Sequence, residues 1–243
     1  MVAQIWAHRG ASAYAPENTL AAFSQAIQMG AQGIELDVHL SKDGELVVIH
    51  DETVDRTSNG TGSIAELTLK ELKAMDFSNG FEGFTGTRIP TLTEVYELIK
   101  PTALCLNVEV KCDVVMYLGI WDKLIALERD MGMQGRVLYS SFNHDVLTRI
   151  RAIEPDAQIG LLYNGFPKSP LYDSNRLGAN AVHPHYLAVL RHPDIFCDCQ
   201  RSGICVHVWT VDDPAAIQSL LRHSVDAIIT NRPDVALAMV DSV

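Results

Sequence analysis

Eight short apolar runs, rich in β-branched residues, recur along this chain: "QIWAH", "GIELDV", "LCLNVEV", "RVLYSSF", "AQIGLLY", "NAVHPH", "ICVHVWTV" and "DAIITN". Most are separated by segments of helical period. Leu20, Phe23 and Ile27 fall at i, i+3 and i+7 between an Asn18 cap and Gly30. Ile217, Leu220 and Leu221 follow Asp213 as cap and Pro214 at the first helical position. Eight strand-then-helix repeats match a (β/α)8 TIM barrel of about 250 residues, and the chain has 243. The competing doubly wound sheet usually carries a GxGxxG loop after its first strand, and this sequence lacks one. The stretch from Gly44 to Pro90 breaks the rhythm with an extra strand, many glycines and irregular sequence. It reads as an insertion after the second barrel strand, spanning about 51–90. No low-complexity linker appears, so residues 1–243 are expected to form a single domain.

Strands alternate their faces with period two. In "GIELDV" the apolar set Ile34, Leu36 and Val38 therefore opposes Glu35, Asp37 and His39. In a barrel the apolar set meets the helices, and the carboxylates project inward, about 7 Å apart along the strand. In "LNVEVK", Val108 and Val110 point outward, while Asn107, Glu109 and Lys111 share the inner face. Near the C-terminal mouth, where barrel enzymes place their chemistry, Glu35, Asp37 and Glu109 would form a carboxylate triad. Such a cluster stays ionised only beside something cationic. An internal ion-pair network with Lys111 and Arg9 is one solution. A hard divalent ion held by oxygen ligands, Mg2+ or Ca2+, is the other.

His8 ends the first strand and His50 ends the extra strand in "LVVIHDE". A single histidine in such a place is ordinarily a hydrogen-bonded core residue. Two histidines, Arg9, Lys111 and three acids converging on one mouth favour catalysis instead. One neutral imidazole can accept a proton while the other donates one, an effect worth about 10²- to 10⁴-fold in rate. With cationic groups to hold negative charge, this set suits displacement at an anionic phosphorus.

Composition narrows the partners. A formal net charge of -11 argues against a nucleic-acid or anionic-membrane surface. Any bound phosphate must be held by local positive charge. There is no basic region followed by a long apolar stretch at the N-terminus and no 18-residue apolar run, so a cytoplasmic location without stable membrane association is expected. The five cysteines form no zinc-like CxxC pair and read as reduced structural thiols. Nothing in the sequence sets an oligomeric state.

The segments "HRG", "PENT", "ELDV", "HDETVDRTSNGTG", "IPTL", "VEVK", "SSF", "VWTV" and "TNRPD" stand in an order that resembles the glycerophosphodiester phosphodiesterases, almost end to end. The resemblance implies a (β/α)8 barrel with a small insertion shielding its mouth. It implies one divalent cation on Glu35, Asp37 and Glu109, catalytic roles for His8 and His50, and phosphate contacts from Arg9 and Lys111. Trp209 is placed near the substrate's glycerol. The implied substrate is a small glycerophosphodiester, cut into glycerol 3-phosphate and an alcohol such as choline, ethanolamine or glycerol. Attack by the neighbouring glycerol hydroxyl and direct attack by water are both open routes.

Several residues carry readings of their own. Gly10 is expected to let the chain turn tightly away from the mouth, with Glu17 and Asn18 holding that turn. His207 reads as structural, and one of His183 and His185 is a candidate pocket residue. Asn231 either caps the last helix through Pro233, the expected role, or reaches the site, and Asp51 is expected to orient His50 or hold its loop. Ser140 and Ser141 lack a histidine partner at fixed spacing, against a serine nucleophile. Two rival functions stand beside the first. One is a lysophospholipase C- or D-like phosphodiesterase with an apolar rim from Phe77, Phe81 and Phe84. The other is a non-catalytic glycerophosphate-binding barrel.

Overall fold

A computed structural model describes residues 3–240; the outermost residues of the expected 1–243 domain lie outside the described residues. The chain opens with β1 (Gln4–His8), α1 (Leu20–Met29) and β2 (Gly33–Leu40), followed by a short β3 (Leu46–Val48). After α2 (Leu69–Ala74) and α3 (Leu92–Ile99) come β4 (Cys105–Val110), α4 (Ile120–Met131), β5 (Val137–Ser141) and α5 (His144–Ile153). The second half continues β6 (Gln158–Leu162), α6 (Pro170–Leu177), β7 (Ala181–His183), α7 (Tyr186–Arg191) and α8 (Pro193–Arg201). It ends with β8 (Cys205–Val208), α9 (Pro214–Arg222), β9 (Ala227–Thr230) and α10 (Pro233–Val240).

Every strand except β3 pairs in parallel with its neighbours, and β1 pairs with both β2 and β9, which closes a barrel of eight strands ringed by helices. β3 runs antiparallel along β2, with Val38 opposite Val48. It begins the insertion, which has a small core of its own from Val47, Ile49, Val54, Ile64, Leu72 and Phe77. Phe77 is thus an insertion core residue rather than part of an apolar rim.

The period-two reading of β2 holds. Ile34, Leu36 and Val38 are fully buried between barrel and helices with Leu106, Val108 and Val110 of β4. Burying each such side chain stabilises by about 1.5–3 kcal/mol. At the bottom of the lumen Trp6 packs beside Ala227 and Ile229, over a glycine: a Cβ on Gly33 would lie 2.6 Å from the indole.

Two capping expectations meet different outcomes. Asp213 caps α9 through the amides of Ala215 and Ala216. For α1 the cap is Thr19, whose hydroxyl accepts from the Ala22 amide at 3.2 Å. Asn18 cannot serve, because its side chain is committed to Asp37.

Candidate active site

Barrel register brings the inward residues of β2 and β4 side by side: Asp37 lies opposite Glu109, and Glu35 opposite Asn107. Oxygens of Glu35, Asp37 and Glu109 approach within 4.8 Å of one another, and all three side chains are buried. Burial, reinforced by Asp37 and Glu109, holds the Glu35 carboxyl well above the ordinary carboxylate range. Burial and Asp37 push Glu109 to about 7, against the pull of Lys111. Asp37 goes the other way. Its burial is outweighed by Arg9, His50, Lys111 and an Asn18 hydrogen bond, which together hold it below the usual value.

The sequence "HRG" after β1 builds the next part of the site. Arg9 adopts a left-handed backbone with φ 55°, and its amide donates to both the backbone oxygen and Oε2 of Glu35. Gly10 follows with φ 84°, and a Cβ there would meet the Ala22 backbone at 2.7 Å, so the turn demands glycine. Arg9 Nη1 reaches Glu17 at 2.8 Å and Nε lies 3.5 Å from Asp37. Asn18 Nδ2 donates to Asp37 Oδ2 at 2.8 Å. Lys111 Nζ lies 2.8 Å from Glu109 and 3.8 Å from Asp37. Glu17 and Asn18 therefore hold the turn and touch site residues as well.

The two histidines are wired differently. His8 Nδ1 lies 2.7 Å from Asn231 Oδ1. Asn231 Nδ2 donates to Asp212, which fixes the amide so that its oxygen faces His8. Nδ1 must then carry the proton, leaving Nε2 as an acceptor 3.9 Å from Glu35. Burial and the Arg9 charge lower the His8 pKa to about 4, so the ring is neutral. His50 Nδ1 instead faces the Asp51 carboxylate at 2.6 Å. Arg56 grips Asp51 at 2.7 Å and forks onto both oxygens of Glu17 at 2.8 Å. From the other side, His39 Nε2 lies 3.1 Å from the His50 carbonyl oxygen.

His8, Arg9, Glu35, His50, Glu109 and Trp209 line one cavity of about 80 Å³. A larger cavity of about 460 Å³ lies at the opposite end of the barrel, beside Gln4, Cys205 and Asp226, away from this chemistry. All eight site positions singled out from the sequence thus converge: six line the cavity, and Asp37 and Lys111 are tied to Glu109 beside it.

A comparison with protein-family models matches residues 8–235 to the glycerophosphoryl diester phosphodiesterase family. The chain belongs to that family. A glycerophosphodiester phosphodiesterase of Caldanaerobacter subterraneus subsp. tengcongensis is 44% identical over 235 residues, covering 96% of each chain. Among solved structures, an Oleispira antarctica phosphodiesterase in complex with the product sn-glycerol-3-phosphate is similar at TM-score 0.86 and 31% identity, covering 99% of this chain and 97% of that one. A glycerophosphodiester phosphodiesterase from Agrobacterium tumefaciens matches at TM-score 0.85 and 33% identity, covering 97% and 99%.

Against this family background, the remaining sequence readings sort themselves. His183 lines the cavity, whereas His185 caps α7 and packs its ring edge-on against Trp209. His207 is buried beneath, 3.1 Å from His183. Ser141 donates to the Val110 carbonyl oxygen, and Ser140 is fully buried. Asn231 overturns its expectation: its side chain is spent on His8 and Asp212, not on capping α10. The alternative reading of Asn231, that it reaches the site, is the one that holds; sequence reasoning missed Arg56 and Asp212 altogether. The charged pairs "HDETVDR" and "VDD" were the only signals.

Proposed function

We propose that this chain hydrolyses glycerophosphodiesters to glycerol 3-phosphate and an alcohol, with His8 as base and His50 as acid. The observation that carries this reading is the unequal wiring of two histidines around one cavity that also holds Arg9 and the carboxylate triad. Arg9 and Lys111 would meet the non-bridging oxygens of the phosphodiester. His8 Nε2, unprotonated, would take the proton from the glycerol hydroxyl beside phosphorus as its oxygen attacks. His50 would give its Nε2 proton to the departing alcohol, with Asp51 balancing the ring's positive charge. Water would then open the cyclic phosphate with the two roles exchanged, the proton leaving through His50 and returning through His8.

The triad fits one divalent cation, Mg2+ or Ca2+. Its donors are all oxygen, and Asp37 Oδ1 is buried without a hydrogen-bond partner. Glu35, Asp37 and Glu109 would hold the ion, which when bound supplies positive charge against the phosphate oxygens. The test is glycerol 3-phosphate release from glycerophosphocholine, with His8→Ala and His50→Ala each expected to fall about 10²- to 10⁴-fold in kcat. Variants that retain wild-type kcat would remove the histidines from the chemistry. If His50→Ala instead abolishes binding of the diester along with turnover, the acid role is wrong.

One observation favours a second reading, action on lysophospholipids. In the loop after β4, Val114, Met116 and Leu118 are 75%, 48% and 81% exposed, an apolar surface able to meet an acyl chain. Relative turnover of lysophosphatidylcholine and glycerophosphocholine separates the two.

A further inference from the structure

Two buried side chains that line the cavity each carry a polar atom that no protein group satisfies: Asn107 Oδ1 from β4 and His183 Nδ1 from β7. They are 1% and 0% exposed. A buried polar atom without a partner is costly, so two residues of this kind lining one cavity mark a place that a ligand completes. The His183 ring cannot turn away. Its Nε2 lies 3.1 Å from His207 Nδ1, its carbonyl accepts from Trp209 Nε1 at 2.8 Å, and it occupies the space that Gly160 leaves empty. A Cβ on Gly160 would stand 2.4 Å from Nε2, which gives that lumen glycine a reason to be there.

We propose that His183 and Asn107 seat the outer hydroxyl of the substrate's glycerol, so that the cavity selects the deacylated end of a glycerophosphodiester. This rests on the function proposed above. Both imidazoles are buried and neutral. In the tautomer where His207 Nδ1–H donates to His183 Nε2, the His183 proton sits on Nδ1, which has no protein partner. Asn107 Oδ1 accepts. A hydroxyl is the group that can accept from the first and donate to the second at once; a phosphate oxygen lacks the proton, and an ammonium lacks the lone pair. Phe142, Leu162 and Trp209 supply apolar walls for the carbon skeleton. The phosphate end is claimed by Arg9 and Lys111, and the middle hydroxyl sits beside phosphorus, which leaves the outer hydroxyl for the floor. An acyl ester at that oxygen has no proton for Asn107.

The test compares kcat/KM for glycerophosphocholine and for its analogue built on propane-1,2-diol, which lacks only the outer hydroxyl. Wild type should prefer the natural substrate by about 10- to 100-fold. In His183→Ala and in Asn107→Ala that preference should collapse toward one, because the natural substrate falls to the level of the analogue. Asn107→Leu, close in volume, covers the case in which His183→Ala does not fold. Lysophosphatidylcholine should be turned over far more slowly than glycerophosphocholine. Variants that lower both substrates equally and keep the preference would make the two residues merely structural and overturn the inference. So would a wild type that does not discriminate, or one that cleaves the lysophospholipid equally well. A wild type inactive on glycerophosphocholine would instead overturn the underlying functional reading as well.

Discussion

The smallest unit in the proposed chemistry is a hydrogen bond between residues 223 positions apart, His8 and Asn231. It sets the tautomer of His8 and so leaves Nε2 as the nitrogen able to accept a proton. Asn231→Ala frees the ring to flip or swap protons, and kcat should drop about 10- to 100-fold while KM changes little and the thermal midpoint stays close to wild type, part of the 10²- to 10⁴-fold that the base as a whole supplies. A loss confined to KM would place Asn231 in binding instead. Glu35, Asp37 and Glu109 were legible in the sequence because strand periodicity alone assigns their face. Asn231 was legible only as a choice between cap and site, because its partner is met only when the last strand closes against the first, and "TNRPD" reads locally as a helix start. The same limit explains Asn18. Its position suits a cap, but tertiary contact with Asp37 claims the side chain and leaves capping to Thr19.

Between elements, the insertion is tied to the barrel by charge. Arg56 links Asp51, and through it His50, to Glu17 and so to the turn after β1. Its side chain is 45% exposed, so its pairs contribute little to global stability, about 1 kcal/mol or less. In the proposed mechanism they aim His50 through Asp51. Arg56→Ala should therefore lower kcat by about tenfold and move the urea midpoint little, and the defect should be mimicked in wild type by high salt, which screens exposed pairs. A variant that unfolds early yet keeps its specific activity would make the bridge structural. The existence of the insertion was visible as a break in the strand–helix rhythm. Its orientation was not, since Arg56 and Glu17 are 39 residues apart and belong to loops without period.

At the scale of the whole molecule, the barrel buries uncharged histidines along its axis. His207 falls from its ordinary value of 6.5 to about 4 because burial penalises the imidazolium. Below pH 6.5 the unfolded chain binds a proton that the folded one refuses, so this part of the stability is complete above 6.5 and lost as pH falls toward 4. The loss is about 3 kcal/mol over that window. Urea unfolding at pH 7 and pH 4.5 should show His207→Gln with a dependence shallower than wild type by roughly 2–3 kcal/mol; equal slopes would mean that the ring is protonated in the fold. The barrel itself was legible from eight spaced strands and the absence of a glycine-rich phosphate loop. The polar layer inside it was only partly so, because neither period nor composition tells a cavity-lining histidine such as His183 from one packed beneath it such as His207. In the proposed reaction the carboxylate triad acts with an ion on a phosphodiester. The most direct measurement follows glycerol 3-phosphate release from glycerophosphocholine through a coupled dehydrogenase, first with excess chelator and then with Mg2+ or Ca2+ restored. Activity should vanish and return in wild type, and should not return in Asp37→Asn; full activity under chelation, or no release with either ion, would contradict it.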